Sequence, residues 1–598
     1  MTNSIRERLF LLREQMSEKG IDFYIIPTSD FHGSEYIGEY FKTREYMTGF
    51  TGSSGTAVIL WHKAYLWTDG RYFIQAQKQL AGSGVTLQRT GEEGVPEVED
   101  FIREHLKKGD RIGFDGRMIS AKTGEKYQKI AEEAGAFLSA GEDLAGDVWQ
   151  ERPPMSKEPF FLLEERYCGR GMEDKIADVR KEMQKAGADV HILSSLCDIA
   201  WLLNVRGADI AHVPVVLSHL ALSQSECVWF LQKDIITQEQ RNYLKERHVT
   251  VKAYEEIYDY VHALSFDAVL YDGEQVNYRI VKSLPDGIRR VDGKNPTEQL
   301  KAVKNPTEIE NLILAHKKDG AAVTKFIYWI KTQIGKEEIT EFSAAEYLLA
   351  KRNEQENFLD VSFDTICAYG ANAAMMHYEA DQESCAALKP EGFLLVDSGG
   401  HYPEGTTDVT RTIALGPLTD AMRKHFTAVL RGNLNLAAAK FLYGCRGSNL
   451  DILAREPLWS MGEDYKCGTG HGVGYLLNVH EGPNAFRWKR RLGQEDTAVL
   501  EEGMVTTDEP GIYIENEYGI RIENELLCRK AEKNKYGQFM HFENITYVPI
   551  DLDAVDVQEM TLSERKLLNA YHKKVYETLF PYMTEEENIW LKEYTRAI

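Results

Sequence analysis

Carboxylates and histidines crowd into four glycine-rich stretches in the last third of this 598-residue chain. The first, FLLVDSGGHYPEGTTDVTRTIAL (393–415), reads as strand, Gly/Pro turn and strand, hence a hairpin. A turn centred on Tyr402–Pro403 sets Asp397 opposite Asp408, and like charges opposed across a ladder destabilise a sheet unless a cation lies between them. The second, MVTTDEPGIYIENEYGIRIENELL (504–527), repeats the device. A turn centred on Asn516 pairs Glu509 with Glu523, and strand alternation puts Arg521 on the face of Glu523. The third, GTGHGVG (468–474), holds His471 among four glycines, which permit close backbone approach. The fourth is a pair of histidines, His377 in AAMMHYEA and His480 in NVHEGP.

Each of these features alone is ordinary: a single hairpin aspartate usually faces water, and a lone histidine usually has a structural partner. Their conjunction implies a metal centre. Four carboxylates balance two divalent cations, and His471 adds a neutral fifth donor. Hard oxygen donors favour Mn²⁺, while Zn²⁺ and Co²⁺ also fit. Two such ions roughly 3.5 Å apart bridge a hydroxide and clamp a carbonyl oxygen, which is the chemistry of hydrolysis.

The elements that must carry these groups leave their own marks. Residues 9–26 (LFLLREQMSEKGIDFYII) are echoed by 176–193 (IADVRKEMQKAGADVHIL): an amphipathic helix, a glycine (Gly20, Gly187), an acidic residue and a β-rich run. YMTGFTG (46–52) and WLLNVRG (201–207) continue the echo, each before a Val/Ile-rich strand. Two α/β modules in tandem follow, with the break between them in ERPPMSKEP (151–159). A second break lies at KNPTEIENL (304–312), where Thr307 and Glu310 form a capping-box pattern behind Pro306. The helix opened there carries Ile309, Leu312, Ile313, Val323, Phe326, Ile327 and Ile330 at helical spacing. The expected domains are therefore 1–155, 156–305 and 306–598, an α/β (α+β) chain overall.

Composition narrows the function classes. The hydrophobic share of 43% supplies material for several cores, which excludes disorder as a description of the whole. A net charge of −23 argues against nucleic acid and against anionic membrane surfaces. The basic run RWKRRLG (487–493) reads as a solvated loop. No apolar run reaches the length of a bilayer span, the N-terminus lacks a signal-peptide pattern, and the eight cysteines are scattered. These features predict a reduced, cytoplasmic protein.

The motifs D-S-G-G, T-D-V-T-R-T, G-T-G-H-G-V-G, N-V-H-E-G-P, D-E-P-G-I-Y and I-R-I-E-N-E resemble those of the pita-bread metallopeptidases. The likeness to the long, three-domain aminopeptidase P branch covers essentially the whole chain, including TDGRYF (68–73) and ITYVPID (545–551). That resemblance implies two creatinase-like N-terminal modules before a pita-bread catalytic domain. It implies a dinuclear site on Asp397, Asp408, His471, Glu509 and Glu523, with Asp408 and Glu523 bridging the ions. Asp397 would serve one ion, and His471 and Glu509 the other. Glu509 would also shuttle the proton, while His377 and His480 would steady the oxyanion. Arg521 would sit close to the metals, and Arg71 matches an N-terminal arginine that binds substrate.

The implied substrates are peptides with proline at the second position, and the implied assembly is a homodimer. Departures at FDTI (363–366) and RWKRR touch no ligand and bear on fine substrate preference. Two other functions share these motifs. One is a prolidase restricted to Xaa-Pro dipeptides, which the length and the middle module disfavour. The other is a non-catalytic peptide-binding protein, disfavoured because all five ligand positions are intact.

Overall fold

A computed structural model describes residues 4–376, 378–489 and 497–598. They form two compact units. One runs to Leu162 and resumes over Arg170–Thr297; the other comprises Leu163–Gly169 and Glu298–Ile598. Of the basic run, Arg487, Trp488 and Lys489 are described, and the rest lies outside the described residues.

The first unit contains two six-stranded sheets of the same topology. In the first, the order is Thr86–Arg89, Ala64–Thr68, Thr56–Leu60, Phe23–Pro27, Arg111–Gly113, Phe137–Ser139. In the second it is Val249–Ala253, Cys227–Leu231, Ser218–Ser223, Val190–Leu193, Ala268–Tyr271, Arg289–Asp292. Strand directions agree pair by pair: two antiparallel ladders in the middle and parallel ones outside. The helices Ile5–Lys19 and Met172–Lys185 precede the first strand of each sheet. Each is followed by a glycine in the left-handed region, Gly20 at φ 63° and Gly187 at φ 65°, so the chain turns there without a Cβ clash. The repeat read from the sequence is thus a repeat of topology.

A titratable group is sealed inside this unit. His191, on Val190–Leu193, is fully buried, its Nδ1 3.0 Å from the Leu270 carbonyl oxygen. Burial lowers its pKa to about 4. The unfolded chain therefore takes up a proton near pH 6.5 that the folded chain refuses until about pH 4. Stability is full above pH 6.5 and is lost as pH falls through that window, by about 3 kcal/mol from this group. Urea titrations between pH 7 and pH 4 should show that slope, and His191→Asn should flatten it.

The second unit is built around the helix Pro306–Gln333, whose Leu312, Val323, Phe326, Ile327 and Ile330 are buried. Its start corrects the sequence reading: the cap is Asn305, reciprocally bonded with Glu308, and not Thr307 with Glu310. Proline has no N–H to lose at the first helical position, so Pro306 opens the helix instead of preceding its cap. The same helix buries His316, Lys318 and Asp319 among its apolar residues. Against this helix and Asp420–Ala437 lie a three-stranded sheet (Ile366–Tyr369, Phe393–Ser398, Val409–Ala414) and a six-stranded one. The latter runs in the order Lys440–Leu442, Gly537–Asn544, Asn524–Asn534, Val505–Asp508, Gly470–Gly472, Glu481–Phe486.

Candidate functional site

The first hairpin places its aspartates differently from the expectation. Asp397 pairs with Thr410, and Tyr402 with Gly405, so the turn is Pro403–Glu404 and the register is displaced by two residues. A two-residue displacement keeps every side chain on its face, because strand alternation has period two. Asp397 and Asp408 are therefore diagonal neighbours instead of directly opposed. The second hairpin follows the expected register. Asp508 pairs with Asn524 and Gly511 with Arg521, which brackets Glu509 against Glu523, and Asn516 turns the chain at φ 63°. Backbone bonds join the hairpins, since the Glu523 N–H donates to the Thr410 carbonyl oxygen at 3.1 Å.

His471 arrives on the short strand Gly470–Gly472, antiparallel to Val505–Asp508. A Cβ at position 470 would stand 1.8 Å from the Thr507 carbonyl oxygen, and one at 472 would stand 2.2 Å from that of Glu481. Only glycine lets the strand approach this closely. The His471 N–H donates to Thr507 Oγ1 at 3.0 Å, and its ring Nδ1 lies 2.9 Å from the Gly472 carbonyl oxygen. The other ring nitrogen is thereby aimed at the carboxylates, 3.4 Å from both Asp408 Oδ2 and Glu509 Oε1. Donor atoms of Asp408, His471 and Glu523 all lie within 4.8 Å of one another, a grouping able to hold a metal ion.

The electrostatics of this cluster fit a cation. Burial, then the charges of Asp397 and Glu509, push Asp408 up to about 6 against the opposing pull of His471. Burial and the charges of Asp408, Glu509 and Asp397 raise Glu523 well above the usual carboxylate range. Burial would lower His471, but its contact with Asp408 and the nearby carboxylates raise it to about 9. Asp397 Oδ1 is buried without a hydrogen-bond partner among the described residues. Crowded acids with an unsatisfied oxygen are the donor set that hard divalent cations take.

Neighbouring side chains hold the set in place. Arg521 donates through Nη2 to Asp397 Oδ2 at 2.5 Å, through Nη1 to Tyr513 Oη at 2.6 Å, and through Nε to Thr410 Oγ1 at 3.2 Å. Thr410 in turn donates to Glu523 Oε2 at 2.7 Å, and Thr507 to Glu509 Oε1 at 3.0 Å. Behind them Arg411 is fully buried against carbonyl oxygens of Glu523, Val548 and Pro549 and against Tyr571. His480 stands edge-on to His471, ring centroids 4.3 Å apart.

Of the residues singled out from the sequence, the second unit brings together Asp397, Asp408, His471, Glu509, Glu523, Arg521 and His480. His377 lies outside the described residues. Arg71 belongs to the first unit, where its guanidinium closes on Asp69 with two 2.8 Å bonds. Thr410, Arg411, Tyr513 and Glu525, which lie within the motifs, and Thr507, just before D-E-P-G-I-Y, are site neighbours that the sequence alone does not single out. The signal for Thr410 was its place in T-D-V-T-R-T, two residues after Asp408 and so on the same strand face.

Comparison with known proteins identifies the family. Residues 310–530 match the model of metallopeptidase family M24, and 538–598 match the C-terminal region of that peptidase. Residues 8–146 and 151–308 match creatinase/prolidase N-terminal domains. A probable Xaa-Pro aminopeptidase P of Pyrenophora teres f. teres is 37% identical over 98% of this chain and 92% of its own length. Aminopeptidase P2 of Arabidopsis thaliana is 35% identical over 98% of this chain and 88% of its own. The crystal structure of X-prolyl aminopeptidase from Caenorhabditis elegans, described as a cytosolic enzyme with a di-nuclear active site, superposes with a TM-score of 0.94. It is 32% identical and covers 100% of both chains.

Fold and site together define a metal-dependent hydrolase. The chain belongs to metallopeptidase family M24, carries creatinase-type N-terminal domains, and is an enzyme of the metallo-aminopeptidase kind on the pita-bread fold. Among the described residues no helix is long and apolar enough to cross a membrane.

Proposed function

We propose that this chain is a Xaa-Pro aminopeptidase, hydrolysing the bond between an N-terminal residue and a following proline, in the three-domain arrangement 1–155, 156–305 and 306–598. The observation that carries the reading is the convergence of carboxylates from two hairpins on His471. Asp397, Asp408, His471, Glu509 and Glu523 are assigned as ligands of two divalent cations, with Mn²⁺ first by the hardness of the donors and Zn²⁺ or Co²⁺ as substitutes. When bound, such cations supply a hydroxide nucleophile near neutral pH and polarise the scissile carbonyl.

The protein's own residues do the rest. Arg521 holds Asp397, and through Thr410 it steadies Glu523, so the acids keep their spacing through the cycle. Glu509, oriented by Thr507, accepts a proton from the attacking water and delivers it to the prolyl nitrogen. That nitrogen is a tertiary amide and leaves as an amine only once protonated. His480, beside His471, donates to the carbonyl oxygen as negative charge develops there, and His377 is assigned the same duty from its motif. Arg71 is assigned to substrate binding from its motif alone.

A cytoplasmic homodimer completes the proposal. Eight free thiols support a reducing compartment, and the similar Caenorhabditis elegans structure is described as cytosolic.

The deciding assay is chelation, reconstitution with Mn²⁺, and mass spectrometry of products from Arg-Pro-Pro beside Ala-Pro. Metal-dependent release of arginine from the tripeptide is the expected result. Cleavage of the dipeptide alone would make the chain a prolidase, and metal uptake without cleavage of either would make it a peptide-binding protein.

A further inference from the structure

We propose that Glu525, braced by His316, is a positioning residue for the main chain at Asp408; this rests on the ligand assignment proposed above. Asp408 lies where the first hairpin's ladder is interrupted, between the strands Gly405–Thr406 and Val409–Ala414. Its backbone N–H donates to the Glu525 carboxylate, Oε1 at 2.8 Å. Without that acceptor a buried donor next to a ligand would have no partner, and the ligand's backbone would be free to shift.

Glu525 is itself immobilised. It sits on Asn524–Asn534 opposite Thr507, its N–H donates to Thr546 Oγ1 at 2.8 Å, and its carbonyl oxygen accepts the Ile545 N–H at 3.1 Å. Its side chain is fully buried, and the second oxygen, Oε2, lies 3.1 Å from His316 Nε2 on the helix Pro306–Gln333, a close contact without hydrogen-bond geometry. A glutamate is a costly way to fill a fully buried position, since an apolar residue of similar volume would pack there without desolvating a charge. Its chemistry, and not its bulk, accounts for its place.

The helix that supplies His316 also grips the tip of the same hairpin. Lys318 Nζ bonds Glu404 Oε1 at 2.8 Å, and Tyr402 Oη donates to Asp319 Oδ1 at 3.1 Å. One rigid helix thereby holds both the turn of the hairpin and, through Glu525, its Asp408 end. The strand register fixes which face Asp408 is on; Glu525 fixes where along that face its carboxylate stands.

The test separates shape from hydrogen bonding. Glu525→Gln keeps an acceptor for the Asp408 N–H, whereas Glu525→Leu keeps the bulk and removes the acceptor. Metal-free full-length proteins are titrated calorimetrically with Mn²⁺, with kcat and KM measured at saturating metal. Wild type should take up two equivalents and Glu525→Gln should bind within about threefold of it. Glu525→Leu should lose roughly 10–100-fold in affinity, the usual effect of removing a group that orients a ligand, and should lose kcat more than KM. If Glu525→Leu does not fold, His316→Leu is titrated in its place, with the same direction of loss expected. Wild-type affinity in whichever leucine variant folds overturns the proposal, as does an equal loss in Glu525→Gln. Wild-type protein that takes up no Mn²⁺ overturns the ligand assignment itself, and this proposal with it.

Discussion

Asp408→Ala should bind Mn²⁺ weakly or not at all and should lose turnover by roughly 10³-fold or more, at least about 4 kcal/mol of transition-state stabilisation. The same substitution should make the metal-free protein more stable. Burial, with the charges of Asp397 and Glu509 added, disfavours the Asp408 carboxylate more than its contact with His471 favours it, so removing the group relieves a penalty. Thermal melts in chelator should therefore rise by a few degrees in the variant, while the stabilisation that Mn²⁺ gives wild type should vanish. Near-normal rates with stoichiometric metal would remove Asp408 from the ligand set. A lower melting temperature in chelator would show that the acids are held apart more comfortably than their spacing implies.

Arg352→Leu should have the largest effect on stability. Arg352 and Asp319 are both buried, joined by bonds of 2.7 Å (Nε to Oδ1) and 3.0 Å (Nη2 to Oδ2). Burial alone would raise Asp319, but Arg352 overrides it and holds that carboxyl below its ordinary value. Removing the arginine leaves a buried carboxylate without its cation, at a cost of about 3–5 kcal/mol. Calorimetric melting of full-length protein should show a clear downward shift of the transition that reports the second unit. Arg352→Leu combined with Asp319→Asn should recover part of the loss, because no charge is then stranded. A single variant that melts with wild type would mean that water reaches Asp319.

Much of the fold and site was legible because it rests on local rules. The second hairpin's register follows from where Asn516 can turn, and the repeated sheets from helix–glycine–strand patterns. His471 was legible because four glycines around one histidine admit few structural reasons. What was not legible depends on partners far away in sequence. The first hairpin turns at Pro403–Glu404, where Lys318 and Asp319 engage its tip, and no local propensity reveals that two-residue displacement. The apolar spacing of Pro306–Gln333 marks the helix, but nothing local marks His316, Lys318 and Asp319 as buried. Their partners Glu525, Glu404 and Arg352 lie 33 to 209 residues further along the chain. The true cap, Asn305 with Glu308, is masked by the Thr307-x-x-Glu310 pattern two residues downstream.

The glycines flanking His471 bear on how the centre is loaded. With backbone pressed against backbone at positions 470 and 472, the place of His471 is settled when the chain folds and not when an ion arrives. Metal uptake then demands little ordering of the protein. Its rate should be governed by stripping water from the incoming cation, and exchange between metals should proceed without any excursion through a partly unfolded state.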